Sequence, residues 1–551
     1  GEMTLAEKVG QMTQASNESI TPSEVADHHI GSVLSGGNGN PSPNTPSRWA
    51  DMVGSFLGAA GDTRLGVPLL YGVDAVHGHG SVRGATVFPH NIGLGAAGDV
   101  DLVTRIGEAT RHEILATGIQ WTFAPTLAVP QDIRWGRTYE GYGREPELVS
   151  ALGAAAIRGL QGTDPNRTAV LACAKHFVGD GATSWGTAPR FEHIDWWDGW
   201  GEGWQIDQGD ARITERQLRS VHLSPYLAAI NAGVRTVMAS YNAWNGEKLH
   251  AHHHLLTDVL KGELGFDGFI VSDWMGIDQI DPSYETSVVN TINAGIDMVM
   301  VPDEFHRFID TLTAAVSSGQ IPMNRIDDAV RRILRAKHAA GLVEPAAEPP
   351  QLTVIGSLEH GRLAAEAVRR SAVLLKNDDA LPLSSGSSLI SVAGTGADDI
   401  GLQCGGWTVG WQGGIGSTTT GTTRLDGLRA AAGEVDFDPG GARLHGRRYD
   451  VGIVCIAEPP YAEGPGDSEE PTASDEDRAV FARMRERTDT LVLVIYSGRP
   501  LVVPDLIEQA DAVVAAWLPG TEAGALGELL FGHHPFEAKT PQPWPRSIAD
   551  L

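Results

Sequence analysis

The chain has 551 residues, enough for several domains rather than one small module. Hydrophobic residues make up 42% and charged residues 20%, values typical of a globular protein that buries a sizeable core. Lys and Arg number 41 against 69 Asp and Glu, so the formal net charge is −28. An acidic surface repels phosphate backbones and anionic lipids, and we therefore expect neither nucleic acid nor a membrane as a partner.

The cysteines and the start of the chain exclude further classes. Cys173, Cys404 and Cys455 lie far apart without the spacing of a zinc knuckle or of a disulfide framework. The opening GEMTLAEKVGQM has neither the basic nor the apolar region of a signal peptide, and no later window reaches 18 apolar residues. We expect a soluble protein, secreted or periplasmic if an export signal has been removed, with a cytoplasmic location still open.

The first 340 residues alternate short apolar runs with longer amphipathic stretches, which is the pattern of βα units in a parallel sheet. Helices are expected at 101–117 and 214–232, the second starting with Thr214 and Gln217 in capping-box spacing. Seven βα-like units predict a TIM-type, (β/α)8-like barrel, complete or one unit short. The predicted strands are 31–36, 69–76, 121–129, 169–178, 235–244, 266–274 and 297–301.

A proline-rich stretch separates this unit from a smaller one. Residues 341–359 include GLVEPAAEPPQL and are predicted to be an interdomain linker. Residues 360–551 predict an α/β sandwich domain, with a helix at 363–371 and strands at 389–392, 449–456, 490–496 and 512–517. The predicted domains are therefore a barrel at 1–340 and a sandwich at 360–551.

The segment 185–204 matches neither a helix nor a strand. It contains five tryptophans among glycine and aspartate: Trp185, Trp196, Trp197, Trp200 and Trp204. Indole faces stack well on the C–H faces of sugar rings, so the segment is either a lid or sugar-stacking wall, or a packed surface loop. The sequence leaves both interpretations open.

Polar side chains lie at or just beyond the carboxyl ends of four of the predicted barrel strands. In a parallel barrel the active site forms at the carboxyl ends of the strands, so these side chains are expected to converge. The four clusters are Asp74, His77 and His79; Lys175, His176 and Asp180; Tyr241 and Asn245; and Asp273 and Trp274.

Two chemistries suit this set. Retaining glycoside hydrolysis needs a nucleophilic carboxylate facing a second carboxylic acid, and Asp273 suits the nucleophile, with Lys175 as a cation that lowers its pKa. Metal-dependent hydrolysis of the amidohydrolase type is the alternative. The order of His77, His79, Lys175, His176 and Asp273 matches the ligands of such barrels.

Longer motifs run through both units. Those of the barrel are MTLAEKVGQM, IGSVLSGG, GVDAVHG, RWGRTYEGYGREPEL, KHFVGDG, SYNAWNG and GFIVSDWMGID, and those of the second unit are VLLKND, GGWTVGWQG, EPPYAEGPGD, SGRP and WLPGTEAG. Together they resemble glycoside hydrolase family 3, specifically its two-domain β-glucosidases and exo-acting β-glucan glucohydrolases. The resemblance implies retaining release of glucose from nonreducing ends of β-glucosides, with no cofactor and no metal.

The resemblance also implies roles for individual residues. Asp273 in SDW matches the nucleophile, and Asp74 matches the residue that binds distal hydroxyls of the terminal sugar. Glu463 in PYAE matches the acid/base, with Glu458 as the alternative, or as a residue that either supports the site from behind or contacts the sugar. The remaining expected substrate-binding residues are Arg137, Lys175, His176, Tyr241, Trp274, Trp407 and Trp411.

Some alternatives stay open. Arg137 is either a substrate-site residue or one half of a structural ion pair with Glu140 or Glu145. Trp407 and Trp411 either sandwich the sugar in the +1 subsite or pack in the core, and the neighbouring glycines favour a loop. A β-xylosidase or N-acetylhexosaminidase of the same family, and an inactive sugar-binding protein, are further alternatives; GDGATSWG differs from the hexosaminidase Asp-Ser-His motif. The family often carries more C-terminal sequence, so a trimmed C-terminus is a further expectation.

Overall fold

The computed structural model describes residues 2–162, 170–194, 201, 203–343, 350–384, 389–443 and 447–551. Residues 344–349 of the predicted linker lie outside these ranges, as do Trp196, Trp197 and Trp200 of the tryptophan-rich segment. None of the helices within the described ranges combines the length and apolarity needed to span a bilayer.

The first domain is a barrel of eight parallel strands, in the order β7-β6-β5-β4-β3-β2-β1-β8. A bridge between Val271 and Met298 joins the two ends of this order and nearly closes the barrel. The strands are β1 (Thr13–Ser16), β2 (Ser32–Ser35), β3 (Leu70–Val73), β4 (Trp121–Thr122), β5 (Leu171–Phe177), β6 (Thr236–Ala239), β7 (Phe269–Val271) and β8 (Val299–Met300).

Strand β1 completes the barrel and lies outside the seven predicted units. Its sequence, TQAS, is buried at all four positions but has no apolar β-branched run. Gln14 donates a hydrogen bond to Ser32 Oγ over 2.8 Å inside the barrel, so pairing between polar side chains replaces apolar contact. All seven predicted strands are longer than the observed ones, and most of the excess lies at the carboxyl ends, where the chain leaves the ladder to build loops.

Amphipathic helices surround the barrel, and polar caps start several of them. The predicted capping box of Thr214 and Gln217 is present at the start of a helical stretch that runs to residue 231. The barrel helices are Leu5–Gln11, Pro22–Asp27, Pro46–Ala60, Asn91–Ala97, Val100–Ala116, Pro146–Gln161, 215–231, His254–Glu263, Tyr284–Ala294, Phe305–Ser317 and Met323–Ala339.

The second domain is a six-stranded sheet covered by helices, in the order β9-β14-β13-β12-β10-β11. Among the described strands of this sheet, only β9 is antiparallel to its neighbour. The strands are β9 (Val373–Asn377), β10 (Ile390–Ala393), β11 (Asp436–Phe437), β12 (Tyr449–Ala457), β13 (Thr488–Tyr496) and β14 (Ala512–Trp517). The helices are Leu358–Ser371, Ile400–Cys404, Arg424–Ala432, Asp475–Arg485, Pro504–Gln509 and Leu526–Leu530. The two edge strands β9 and β11 were absent from the sequence prediction.

The two domains share a buried contact above the carboxyl ends of the barrel strands. Ile92 and Tyr139 of the barrel pack in one apolar cluster with Trp407, Ala462 and Trp517 of the second domain. The Tyr139 hydroxyl donates to the main-chain oxygen of residue 461 over 2.6 Å. This contact holds loops of the second domain over the mouth of the barrel.

Candidate active site

A pocket of about 350 Å³ lies between the barrel mouth and these loops. It collects residues that are far apart in sequence, including all the predicted site residues except Glu458. Those that line it are Asp74, Arg137, Lys175, His176, Tyr241, Asp273, Trp274, Trp407, Trp411 and Glu463.

Asp273 lies two residues beyond β7, and its main chain is fixed. Its N–H donates to His250 Nε2 over 2.9 Å, and the N–H of Trp274 donates to Asp273 Oδ1 over 2.8 Å. The buried Oδ2 has no hydrogen-bond partner among the described residues and lies 3.7 Å from His176 Nε2. One carboxylate oxygen is therefore held by the protein while the other is free to react.

Burial raises the pKa of Asp273 to about 6, although Arg137 and Lys175 act in the opposite direction. The sequence predicted Lys175 as a cation that lowers this pKa. The structure adds Arg137, whose effect is the larger, but the loss of hydration outweighs both cations.

Lys175 and Asp74 form an ion pair at the floor of the pocket. Lys175 Nζ lies 2.9 Å from Asp74 Oδ1 and 5.4 Å from the ring centre of Trp407. Burial lowers the pKa of Lys175, but the carboxylates of Asp74 and Glu140 outweigh burial and raise it overall. The ammonium group stays charged, and it forms with Asp74 a pair of opposite charges suited to gripping sugar hydroxyls.

Arg137 is buried and has partners in both domains. Its Nε and Nη2 donate to the two oxygens of Glu140, each over 2.9 Å. Nη1 donates to Glu463 Oε1 over 3.2 Å, and Nη2 lies 3.1 Å from His176 Nε2. The two alternatives for this residue are therefore compatible: Arg137 forms the ion pair with Glu140 and also lines the pocket.

The contacts of His176 define its protonation. A guanidinium can only donate, so Nε2 accepts from Arg137 and the proton lies on Nδ1, which is 3.0 Å from Asp180 Oδ2. Burial, followed by the charges of Arg137 and Lys175, lowers the pKa of His176 well below its ordinary value. The imidazole is neutral and is held in one orientation next to Asp273.

Glu463 approaches the pocket from the second domain in an unusual backbone conformation. Its φ of 61° and ψ of −144° lie in a region used almost only by glycine, at a cost of about 1–3 kcal/mol. The side-chain amide of Gln412 exchanges two hydrogen bonds of 3.0 Å with the main chain of Ala462. After Glu463, the chain turns at Gly464, where a Cβ would lie 2.1 Å from the Trp204 ring.

Burial raises the pKa of Glu463 to about 8. Arg137 lowers it, while Asp207, Asp273 and Glu140 raise it further. A proton is therefore retained on Glu463 at a pH where Asp273 has lost its own, which is the division of roles that an acid and a nucleophile require.

Glu458 does not reach the pocket, in contrast to its prediction as a sugar-contacting residue. Its Oε1 accepts from Arg499 Nε over 3.0 Å, and its Oε2 accepts from the Gly498 N–H and the Tyr461 hydroxyl. Arg499 also donates to the main-chain oxygen of Gly466 over 2.6 Å. With its oxygens occupied, Glu458 supports the loop that carries Glu463.

The tryptophans lie at different depths. Trp407 is buried and donates through Nε1 to Glu140 Oε1 over 3.2 Å. Trp274 and Trp411 are half-buried and flank the Gly36–Gly37 turn, where Cβ atoms would lie 2.2 Å from the Trp274 ring and 2.9 Å from Trp411 Cβ. The segment that carries Trp407 and Trp411 is a loop, as its glycines predicted.

The described part of the tryptophan-rich segment contributes to the wall of the pocket. Trp204 lines the pocket. Trp185 instead packs against Arg134, whose guanidinium carbon lies 4.6 Å from the centre of the Trp185 ring. The question of a lid falls on Trp196, Trp197 and Trp200, outside the described residues.

Sequence reasoning missed several residues that line the pocket or lie beside it. Asn38, Gln208 and Asp303 line the pocket, and burial raises the pKa of the neighbouring Asp207 to about 7. Asp207 accepts a hydrogen bond from Trp135 Nε1 over 2.8 Å. Gln208 and Asp207 belong to a loop, QIDQGD, without the apolar run that marked the other clusters.

Two of the three histidines of the metal alternative, His77 and His79, face other partners. His77 Nε2 lies 3.1 Å from the Trp407 main-chain oxygen, and His79 Nε2 lies 3.0 Å from Thr117 Oγ1. Across the described ranges, no three His, Cys, Asp or Glu side chains are grouped as a metal site would need.

Comparison with known proteins assigns the family. The model of the glycosyl hydrolase family 3 N-terminal domain matches residues 4–336, and that of the C-terminal domain matches residues 372–551. The chain belongs to glycoside hydrolase family 3. It is 32% identical to a lysosomal beta glucosidase of Dictyostelium discoideum and 29% identical to a periplasmic beta-glucosidase of Salmonella typhimurium. Both matches cover 100% of this chain, and 72% and 74% of the respective relatives.

Solved structures give the same result. An exo-1,3/1,4-beta-glucanase from a Pseudoalteromonas species superposes with a TM-score of 0.90 and 40% identity, covering 99% of this chain and 69% of the other. A beta-glucosidase from Listeria innocua in complex with isofagomine has a TM-score of 0.85 and 27% identity, covering 100% and 76%. The predicted family, the two-domain fold class and the identification as a glycoside hydrolase are confirmed.

The pKa values predict a bell-shaped dependence of activity on pH. Asp273 must be ionised and Glu463 protonated, so kcat/KM should rise as pH increases through about 6 and fall as pH increases through about 8. Initial rates with an aryl β-glucoside from about pH 4 to about pH 10 measure both limbs. A profile that stays flat through the alkaline limb would contradict the protonated state of Glu463.

Proposed function

We propose that the chain is a retaining, exo-acting β-glucosidase that releases glucose from the nonreducing ends of β-glucosides and β-gluco-oligosaccharides. One observation carries the proposal: Asp273 and Glu463 come from different domains into one pocket, and the pKa of Glu463 is the higher. A nucleophile and a proton donor beside one sugar site are the two groups that double displacement needs.

In the first step Asp273 Oδ2 attacks the anomeric carbon while Glu463 protonates the departing glycosidic oxygen. The attack forms a covalent glucosyl ester and breaks the bond to the aglycone. In the second step Glu463, now ionised, removes a proton from water, which attacks the same carbon and frees Asp273. The adjacent charge of Arg137 stabilises the ionised form of Glu463 between the two steps.

The polar floor suits the terminal sugar. Asp74 and Lys175 form a charged pair there, and charged groups form strong hydrogen bonds to hydroxyls, with geometry that a flattened ring in the transition state improves. A pocket of about 350 Å³ is at the small end of ligand sites and suits one or two sugar rings rather than the middle of a long chain. We infer exo action from this size.

The +1 sugar lies between the half-buried indoles. Trp274 and Trp411 have part of their surfaces exposed at the pocket, whereas Trp407 is buried and bonded to Glu140. The geometry favours Trp274 with Trp411 as the stacking pair over the predicted pair of Trp407 with Trp411. Stacking does not read a particular hydroxyl, so several linkages are expected to bind.

The named relatives support a β-glucan substrate and a location outside the cytoplasm. One structural relative is an exo-1,3/1,4-beta-glucanase, and a mutant of the Listeria innocua beta-glucosidase has a solved structure in complex with laminaribiose. The Salmonella typhimurium relative is named periplasmic, and we propose a secreted or periplasmic location on that basis.

The first test replaces the nucleophile. Asp273→Asn removes the attacking oxygen's charge while keeping the side-chain shape, so kcat should fall at least about 10³-fold, or about 4 kcal/mol of barrier. Steady-state kinetics with an aryl β-glucoside measure the loss, and circular dichroism checks that the variant is folded. Near-normal turnover by a folded variant would contradict the assignment.

The second test separates the two glutamates. Glu463→Ala should slow substrates with poor leaving groups far more than those with good ones, and azide should restore turnover as β-glucosyl azide. Glu458→Ala is the comparison variant: Glu458 supports the same loop but lies outside the pocket, so azide should not restore the turnover of this variant. Azide rescue of Glu458→Ala instead would move the acid/base to that residue.

The third test addresses the sugar. A relative named Beta-xylosidase from Formosa agariphila is 29% identical over 90% of this chain, so xylosides are the comparison to make. Cellobiose and laminaribiose should give kcat/KM at least about tenfold above xylobiose, because xylose lacks the hydroxymethyl group and leaves pocket groups unpaired. Product analysis by chromatography measures this ratio, and faster cleavage of xylobiose would favour a β-xylosidase.

A further inference from the structure

Asp467 lies four residues after Glu463 and binds the other domain with its whole carboxylate. Oδ1 accepts from the N–H of Gly136 over 3.0 Å. Oδ2 accepts from three consecutive main-chain N–H groups, those of Gln205, Ile206 and Asp207, over 3.0, 2.9 and 3.0 Å. All four donors belong to the barrel domain. One side chain of the second domain therefore binds two loops of the barrel, one at Gly136 and one at 205–207.

A tight turn couples Asp467 to Glu463. The Gly466 N–H donates to the main-chain oxygen of Glu463, and the Asp467 N–H donates to that of Gly464, each over 2.9 Å. A Cβ on Gly136 would lie 2.1 Å from the Glu463 oxygen, so the two backbones are in direct contact there. A displacement of Asp467 is therefore expected to displace the main chain of Glu463 as well.

The same carboxylate orders one wall of the pocket. The three N–H groups bound by Oδ2 directly follow Trp204, whose indole lies on Gly464 and lines the pocket. Asp207, the last of the three, is one of the charges that keep the proton on Glu463. Asp467 itself does not line the pocket.

We propose that Asp467 is a positioning residue for proton transfer: by binding Gly136 and the 205–207 loop, its carboxylate sets Glu463 and the Trp204 wall against the glycosidic oxygen. The inference rests on the proposed function, since it takes Glu463 as the acid/base. It predicts a defect in proton donation rather than in sugar binding or nucleophilic attack.

The test compares two substrates in Asp467→Asn. An amide can accept at one atom only, and its NH₂ group would face N–H donors. With cellobiose, whose leaving group needs a proton, kcat/KM should fall at least about 10²-fold. With 2,4-dinitrophenyl β-glucoside, whose leaving group needs none, kcat/KM should fall less than about fivefold, while kcat and KM fall together because the glucosyl enzyme accumulates.

Asp511→Asn is the matched control. Asp511 also accepts a main-chain N–H, that of Leu491 over 2.7 Å, but it precedes β14 at the opposite end of the sheet from the pocket. Both substrates should be hydrolysed at near wild-type rates. Asp467→Glu, which keeps the charge, covers the case in which Asp467→Asn does not fold, and it should show the same substrate dependence in weaker form.

Two results would overturn the inference. Equal losses on both substrates would make Asp467 merely structural, and unchanged cellobiose hydrolysis would make its contacts irrelevant to catalysis. Glu463→Ala measured in parallel separates the two proposals. If Glu463→Ala itself shows no leaving-group dependence, the proposed function fails; if only the Asp467 variants lack it, the positioning role fails.

Discussion

The candidate site depends on the ion pairs that the buried guanidinium of Arg137 forms. The guanidinium binds Glu140 within the barrel, keeps its positive charge throughout, and reaches Glu463 in the second domain. Removing one partner of a buried ion pair leaves the other uncompensated, so this contact ties folding of the barrel loop to docking of the second domain. Burial raises the pKa values of Asp273 and Glu463, and the positive charge of Arg137 offsets part of that increase.

Around this centre, the protein obtains its geometry from backbone contacts. Gly136 contacts the main chain of Glu463, and Gly464 packs against the Trp204 ring. Gln412 hydrogen-bonds to both the N–H and the main-chain oxygen of Ala462. These contacts over-determine the strained backbone of Glu463, which is the condition for such a conformation to persist. Glu463, the proposed acid/base, is therefore held in place although it lies on a loop.

The sequence predicted the parts that follow simple periodicity or a long motif. Apolar runs located seven barrel strands and the four central strands of the second sheet, and motif order brought Asp273 and Glu463 together. Strand β1 was not predicted because its burial is largely polar, and Asp207 and Gln208 were not predicted because their loop carries no periodic signal. The role of Glu458 depends on Arg499, a partner 41 residues away that only the fold places beside it.

The division of the proposed catalytic pair between two domains has a consequence for how substitutions act on this protein. A substitution at the domain boundary, remote from any sugar, can leave each half folded and yet abolish turnover, because the two carboxyl groups then no longer meet. Enzyme activity is therefore expected to report how well the two domains of this one chain fit together.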